Sequence, residues 1–258
     1  KRVELITMLK SVSYAQSVNE ERYMLKGVFF QFNKDNLSLV ATDGRRLAVT
    51  IKDTKISEEE EGEFILPSLT VSEIERLPAV GDSLKIAFTD RQVAFEMNVE
   101  SEKEEENGFR DSVYVVSKVV EGKYPNYRQV IPKDDFHVAE VERELMQECV
   151  HRAALVSDEK ITLRIKSSAM EITGQSTLGD ACESMPISYE GNETAVSFNP
   201  RFLLDPLRSI ARDKINLEFR DDMSPGVFKV SKSDASTVSI LCVVMPVSYT
   251  HLRAHETS

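Results

Sequence analysis

Apolar and polar positions alternate along this chain in two rhythms, one of period near 3.6 and one of period 2. Leu5, Met8, Leu9 and Val12 fall at helical spacing with Lys10 on the opposite side, which predicts an opening helix. Residues 23–32 and 37–50 are rich in branched and aromatic side chains and read as strands, joined by the turn-prone Asn33-Lys34-Asp35-Asn36. Thr70-Val71-Ser72-Glu73 has the form of a capping box and predicts a helix with Val71, Ile74 and Leu77 on one face, ended at Pro78. Residues 84–88 and 92–97 alternate as a hairpin, and 112–120 as a further strand. The acidic stretches 58–61 and 100–106 lack the spaced ligands and glycine of a calcium loop and read as solvated connections.

The order then repeats. After the connector Tyr124-Pro125-Asn126-Tyr127, residues 141–155 carry Leu145, Cys149 and Ala153 at four-residue spacing, a long amphipathic helix. Strands at 161–166, 169–173 and 183–189 follow. Asn199 as N-cap and Pro200 at the first helical position open a second helix. Its buried side is expected to be Phe202, Leu203, Leu207 and Ile210, with a kink where Pro206 removes a backbone donor. Strands at 214–220, 226–231 and 237–247 close the pattern. Helix, strand pair, helix, hairpin and closing strand, used twice, predict an α+β protein: two tandem repeats, each with two helices packed on antiparallel sheet.

Composition narrows the function. At 258 residues the chain suits two domains, and its net charge of −11 argues against phosphate binding over most of its surface. No apolar run approaches the ~20 residues of a membrane span. Cys149, Cys182 and Cys242 are widely spaced, without a CxxC pair, which favours a reducing cytoplasm over a disulfide or zinc scaffold. Phosphate-loop, dinucleotide, nucleophile-elbow and zinc-helix motifs are absent. Among the four histidines, His151 reads as solvent-exposed, and Asp43 beside Gly44 reads as a turn former rather than a catalytic acid. No nucleophile is paired with a base, and no cofactor or metal is expected. A binding protein is therefore favoured over an enzyme. At the ends, residues 1–4 enter a helix with no strand before them, and 248–258 (SYTHLRAHETS) lose all periodicity and read as a foreign tail.

Three segments carry a resemblance. Ala41-Thr42-Asp43-Gly44-Arg45-Arg46-Leu47-Ala48 resembles the ATDGHRLA signature of the bacterial sliding clamps, the β subunits of the replicative DNA polymerase. Lys123-Tyr124-Pro125-Asn126-Tyr127-Arg128-Gln129-Val130-Ile131-Pro132 is similar to that family's linker FPDYRRVLP, and Val243-Val244-Met245-Pro246 to its closing VVMPM. All three stand in the family's order over residues 1–247. The resemblance implies the second and third of three like domains: a middle domain at 1–124 without its first strand, a linker at 125–132, and a C-terminal domain at 133–247.

What the family implies is topological. Two subunits form a ring around duplex DNA, with helices lining the hole, and tether the replicative polymerase and the clamp loader without catalysis. A ring that slides needs only mild positive charge inside, which fits the acidic total. The resemblance assigns the DNA-facing side to Lys10, Tyr23, Arg76, Arg152, Arg201, Arg208 and Arg212. It assigns a groove for short linear peptides to Leu25, Thr42, Gly44, Arg45, Arg46, Leu47, Pro125, Gln129, Val130, Val243, Val244, Met245, Pro246 and Val247. Leu155 and Val156 match the apolar subunit contact. With no first domain to meet that contact, the chain is expected to be a monomer or to associate only weakly. Aliphatic and methionine side chains make an adaptable pocket. Two or three buried anchors at roughly 1.5–3 kcal/mol each, less ordering costs, imply micromolar-class binding. Arg45 for the usual His, Gln129 for Arg and Val247 for Met depart from the family pattern.

Overall fold

A computed structural model describes residues 1–77, 82–98, 112–132, 137–177, 179–230 and 238–247. Pro78, the acidic stretch 100–106 and the expected tail 248–258 lie outside the described residues. The chain divides into two compact units. The first comprises Lys1–Pro132 with Lys229–Val243, and the second Lys133–Phe228 with Val244–Ser258.

In the first unit, helix α1 (Arg2–Lys10) buries Leu5, Met8 and Leu9 on the face its spacing dictates. Strands β1 (Gly27–Asn33), β2 (Asn36–Thr42), β3 (Arg46–Asp53) and β4 (Gly62–Pro67) follow, then helix α2 (Ser68–Arg76), with Val71 and Ile74 buried. Strands β5 (Leu84–Phe88), β6 (Gln92–Asn98) and β7 (Ser112–Lys118) form a separate three-stranded sheet. The larger sheet runs β3-β2-β1-β4, and β16 (Val238–Val244), the last strand among the described residues, lies on the far side of β3.

The pleat of β1 sorts its aromatics to two faces. Phe30 stacks on Phe64 at 4.8 Å between ring centroids, and Phe32 and Phe64 both meet Phe88 at 5.1 Å. On the other face Phe29 stacks on Tyr124 at 4.8 Å and meets Tyr127 edge-on at 6.5 Å. The connector is thus anchored to its own unit by two buried tyrosines, each an aromatic contact worth about 1 kcal/mol beyond its area.

In the second unit β8 (His137–Glu142) leads into helix α3 (Arg143–Val156). Strands β9 (Ile161–Ile165), β10 (Ala169–Ser176), β11 (Gly179–Pro186), β12 (Ser188–Tyr189) and β13 (Thr194–Phe198) come next. Helix α4 (Pro200–Ser209), β14 (Lys214–Phe219) and β15 (Gly226–Val230) complete the series. One sheet runs β11-β10-β9-β13, and β12, β8, β14 and β15 are neighbours in another. The four-strand order repeats that of β3-β2-β1-β4, with the first helix before it and the second after it in both. The expected α+β repeat is present, down to strand order.

Several details differ from the sequence reading. Residues 23–25 belong to a 3-10 turn (Glu20–Leu25) and not to β1, because Asn19 caps that turn through Glu21 N (2.9 Å). The run 37–50 is split in two by the turn at Asp43-Gly44-Arg45. Helix α2 begins at Ser68, after Pro67, without a side-chain cap; the capping box falls instead on Ser57 and Glu60, within the acidic stretch. There the Ser57 hydroxyl donates to Glu60 Oε2 at 2.8 Å and holds that carboxyl below its usual range. β4, β8 and β13 are strands that periodicity alone did not separate from their neighbours. At α4, Asn199 Oδ1 accepts from Arg201 N at 3.0 Å as expected, and the helix continues through Pro206 to Ser209.

Helix α3 lies close on its sheet. A Cβ on Gly174 of β10 would stand 2.7 Å from the Ala153 carbonyl oxygen of α3, a rigid backbone neighbour. Gly174→Ala is therefore expected to destabilise the chain by about 1–3 kcal/mol in urea unfolding. Asn199→Ala should cost about 1 kcal/mol by losing its cap.

Candidate functional site

A densely hydrogen-bonded turn of the first unit joins β2 to β3. Thr42 Oγ1 accepts from Gly44 N at 3.1 Å and donates to the Arg46 carbonyl at 2.6 Å, closing the turn across its base. Asp43 Oδ1 accepts from Arg45 N (2.9 Å) and Arg46 N (3.0 Å). Both oxygens of Asp43 are engaged, since Oδ2 takes Arg46 Nε at 3.0 Å. This carboxylate is a turn former, as its place beside glycine suggested. Gly44 sits at φ +86°, in the left-handed region that favours glycine. The Arg22 guanidinium occupies the space where a Cβ on Gly44 would go, and its Nη1 donates to the Asp43 carbonyl at 3.1 Å.

Arg46 is only 7% exposed. Besides Asp43, its Nη2 donates to the Tyr14 carbonyl at 2.6 Å, and its guanidinium carbon lies 5.4 Å from the Tyr14 ring centroid. A buried guanidinium satisfied this completely is fixed in place and shapes the turn from beneath. Leu47, next along β3, is buried as well, as is Leu25 at the end of the 3-10 turn.

Other candidates occupy varied settings. Thr42 is half-buried, while Gly44 and Arg45 are exposed at the tip. Pro125, Gln129 and Val130 are exposed on the connector, whose buried Tyr124 and Tyr127 hold it against β1. Burial pushes both phenols up, with the Thr42 backbone drawing Tyr124 back and Arg128 drawing Tyr127 back. Val243 and Val244 are buried in β16; Met245 is 47% exposed, Pro246 half-buried and Val247 exposed. In the second unit Val247 N donates to the Ser197 carbonyl at 2.8 Å. Alongside β3 and β16, Val49, Ile51, Ile131, Val230, Ile240 and Leu241 line an open, largely apolar pocket of about 430 Å³ in the first unit. None of the groove candidates lines that pocket.

The basic candidates stand on or beside the helices, and several face a carboxylate. Arg76 pairs with Glu73 at 3.5 Å, Arg152 with Glu183 at 2.9 Å and Glu148 at 3.6 Å, and Arg201 with Asp205 at 3.9 Å. Lys10, Tyr23 and Arg208 are exposed and Arg212 is half-buried. The Arg152 hydrogen bond holds the Glu183 carboxyl below its usual range. Leu155 projects from the end of α3 at 74% exposure, beside a half-buried Val156. His151 is exposed on the same helix. Among the described residues no group of three or more His, Cys, Asp or Glu is placed to hold a metal ion, and no helix is long and apolar enough to cross a membrane.

Sequence reasoning missed Arg22 and Tyr14. Both lie more than twenty residues from the turn they support, so no local spacing marks them.

Asp43→Ala removes the counter-charge from a buried guanidinium and two turn acceptors together. It is expected to destabilise the chain by about 3 kcal/mol, whereas Asp43→Asn, which keeps Oδ1, should cost less. Urea unfolding of both variants checks the order.

Comparison with known proteins fits this architecture. Residues 1–126 match the family model of the DNA polymerase III beta subunit, central domain, and residues 128–248 that of its C-terminal domain. The beta sliding clamp of Caulobacter vibrioides is 28% identical over 231 residues, covering 86% of this chain and 59% of that protein. The DNA polymerase III subunit beta of Pseudomonas aeruginosa superposes with a TM-score of 0.83 at 24% identity, covering 96% of this chain and 65% of that one. A sliding clamp from Bartonella birtlesii bound to griselimycin gives 0.83 at 24% identity, covering 96% and 64%. The chain thus spans about three fifths of the length of the curated relatives it matches.

Proposed function

This chain belongs to the DNA polymerase III beta subunit family, and from that premise we propose that it supplies the central and C-terminal domains of a sliding clamp. In this reading it forms part of a ring that encircles duplex DNA, and it tethers the replicative polymerase and clamp loader through short peptides. It has no catalytic step of its own, and it works in the cytoplasm. The middle domain comprises residues 1–124, the linker 125–132 and the C-terminal domain 133–247. The observation that carries the reading is one module used twice, with the strand orders β3-β2-β1-β4 and β11-β10-β9-β13 each flanked by two helices.

The electrostatics support it. A sliding ring must guide DNA without holding it, and every tight phosphate contact would add salt-linked affinity. Arg76, Arg152 and Arg201 each face a carboxylate of their own unit, so a phosphate would have to compete for them. The remaining DNA-facing positions, Lys10, Tyr23, Arg208 and Arg212, are too few for a static grip. Leu155 and Val156 are assigned to the contact with a second subunit; an exposed leucine at a helix end suits such a surface.

To the peptide groove this reading assigns the Thr42–Leu47 turn, Leu25, the connector residues Pro125, Gln129 and Val130, and the closing residues 243–247. A rigid polar turn beside flexible apolar side chains is suited to partners that share hydrophobic ends and little else. Arg45 meets polar groups of the peptide. Arg46 supports the floor from below, since its head is already satisfied.

Griselimycin is the probe. Titrated by calorimetry, the chain is expected to bind it at micromolar or tighter affinity, and absence of binding would remove the groove. Met245→Ala should weaken binding at least tenfold, about 1.4 kcal/mol or more. Because Met245 is half exposed, the thermal midpoint should stay unchanged.

A further inference from the structure

One polar pair lies outside everything assigned so far. Tyr14, in the short 3-10 turn Ser13–Ala15, places its Oη 2.9 Å from Sγ of Cys242 in β16, 228 positions away in sequence. Cys242 is 1% exposed, and burial pushes its thiol up to about 12, so it remains S–H at neutral pH. The pair is a bond between two neutral groups, and either can donate.

Tyr14 is also where Arg46 comes to rest. Its carbonyl accepts Arg46 Nη2 at 2.6 Å, and its ring lies under the guanidinium. Arg46 Nε grips Asp43 Oδ2, and Asp43 Oδ1 gathers the Arg45 and Arg46 amides. A chain of contacts therefore runs from the Cys242 thiol in β16 to the Tyr14 hydroxyl, from the Tyr14 ring and main-chain carbonyl to the Arg46 guanidinium, and on through the Asp43 carboxylate to the amides of the turn. Each member is buried or half-buried, where a missing partner costs more than the bond itself gains. The Arg45 amide stands at the exposed end.

We propose that Tyr14 and Cys242 are positioning residues for the peptide groove. They lock the tyrosine ring on which Arg46 lies, and so hold the Thr42–Leu47 turn in its binding shape without touching the ligand. This rests on the groove reading above. The device differs from packing alone. A packing role would be served by any side chain of similar volume, whereas the relay needs a hydrogen-bonding atom at each position.

The test uses the full chain with Tyr14→Phe, Cys242→Ala, Cys242→Ser and the Tyr14→Phe/Cys242→Ala double variant. Three quantities are measured: thermal midpoint, exchange rates of the Arg45 and Arg46 amides by NMR, and griselimycin affinity. Tyr14→Phe keeps the ring and Cys242→Ser keeps a hydroxyl, so both should fold. Tyr14→Phe and Cys242→Ala are expected to speed exchange of both amides at least threefold and to weaken griselimycin three- to tenfold. Cys242→Ser should stay near the parent in both, and the double variant should be no worse than either single one. Unchanged exchange in Tyr14→Phe, or additive losses in the double variant, would overturn the proposal. If the parent chain fails to bind griselimycin, the groove reading falls, while the exchange rates still decide whether the relay holds the turn.

Discussion

A guanidinium that is 7% exposed constrains everything around it. Arg46 cannot be left without partners in that setting, since an uncompensated buried charge costs several kcal/mol. Asp43 must therefore stay beside it, the Tyr14 carbonyl must point at it, and the Tyr14 ring must lie beneath it. These demands fix the exit of β2, the entry of β3 and the 3-10 turn after α1 together. What stands at the tip, Gly44 and Arg45, is exposed and rigid for the same reason. In the proposed reading, a turn that recognises peptides gains from being held this way, because ordering costs are already met before the ligand arrives.

The same economy is visible in the repeat. Arg143 opens α3 and reaches to the end of α4, donating to the Leu207 carbonyl at 3.1 Å and the Arg212 carbonyl at 2.8 Å. It satisfies acceptors that the helix end leaves open. At the corresponding start of α1 stands Arg2, buried at 5% exposure. The backbones agree too: Arg2 N donates to the Asp82 carbonyl at 2.9 Å and Arg143 N to the Asp213 carbonyl at 2.8 Å. A helix before and a helix after a sheet of fixed strand order form the unit that the chain uses twice.

Charge follows function at a coarser level. A net −11 leaves most of the surface unsuited to a polyanion. The pairing of Arg152 with Glu183 and Glu148 shows how a basic residue on a helix can be kept available yet weakly committed. Exposed pairs of this kind contribute little stability.

Local periodicity determined the elements whose faces are decided by neighbours three or four residues away: α1 through Leu5, Met8 and Leu9, α4 through its Asn199 cap, and the β5–β6 hairpin through strict alternation. The signature at 41–48 and the connector at 123–132 also announced the family and the α+β repeat. The Asp43-Gly44 pair marks locally where a strand-like run breaks, but only tertiary structure decided how that break is held, through Arg46 finding Tyr14 thirty-two positions upstream. It alone separated β4, β8 and β13 from their surroundings, since a short apolar run carries no periodic mark until a partner strand pairs with it. Arg22, Tyr14 and Cys242 were invisible for a related reason. Their roles arise from contacts across 21 to 228 positions of chain, and local spacing records only what local geometry can reward.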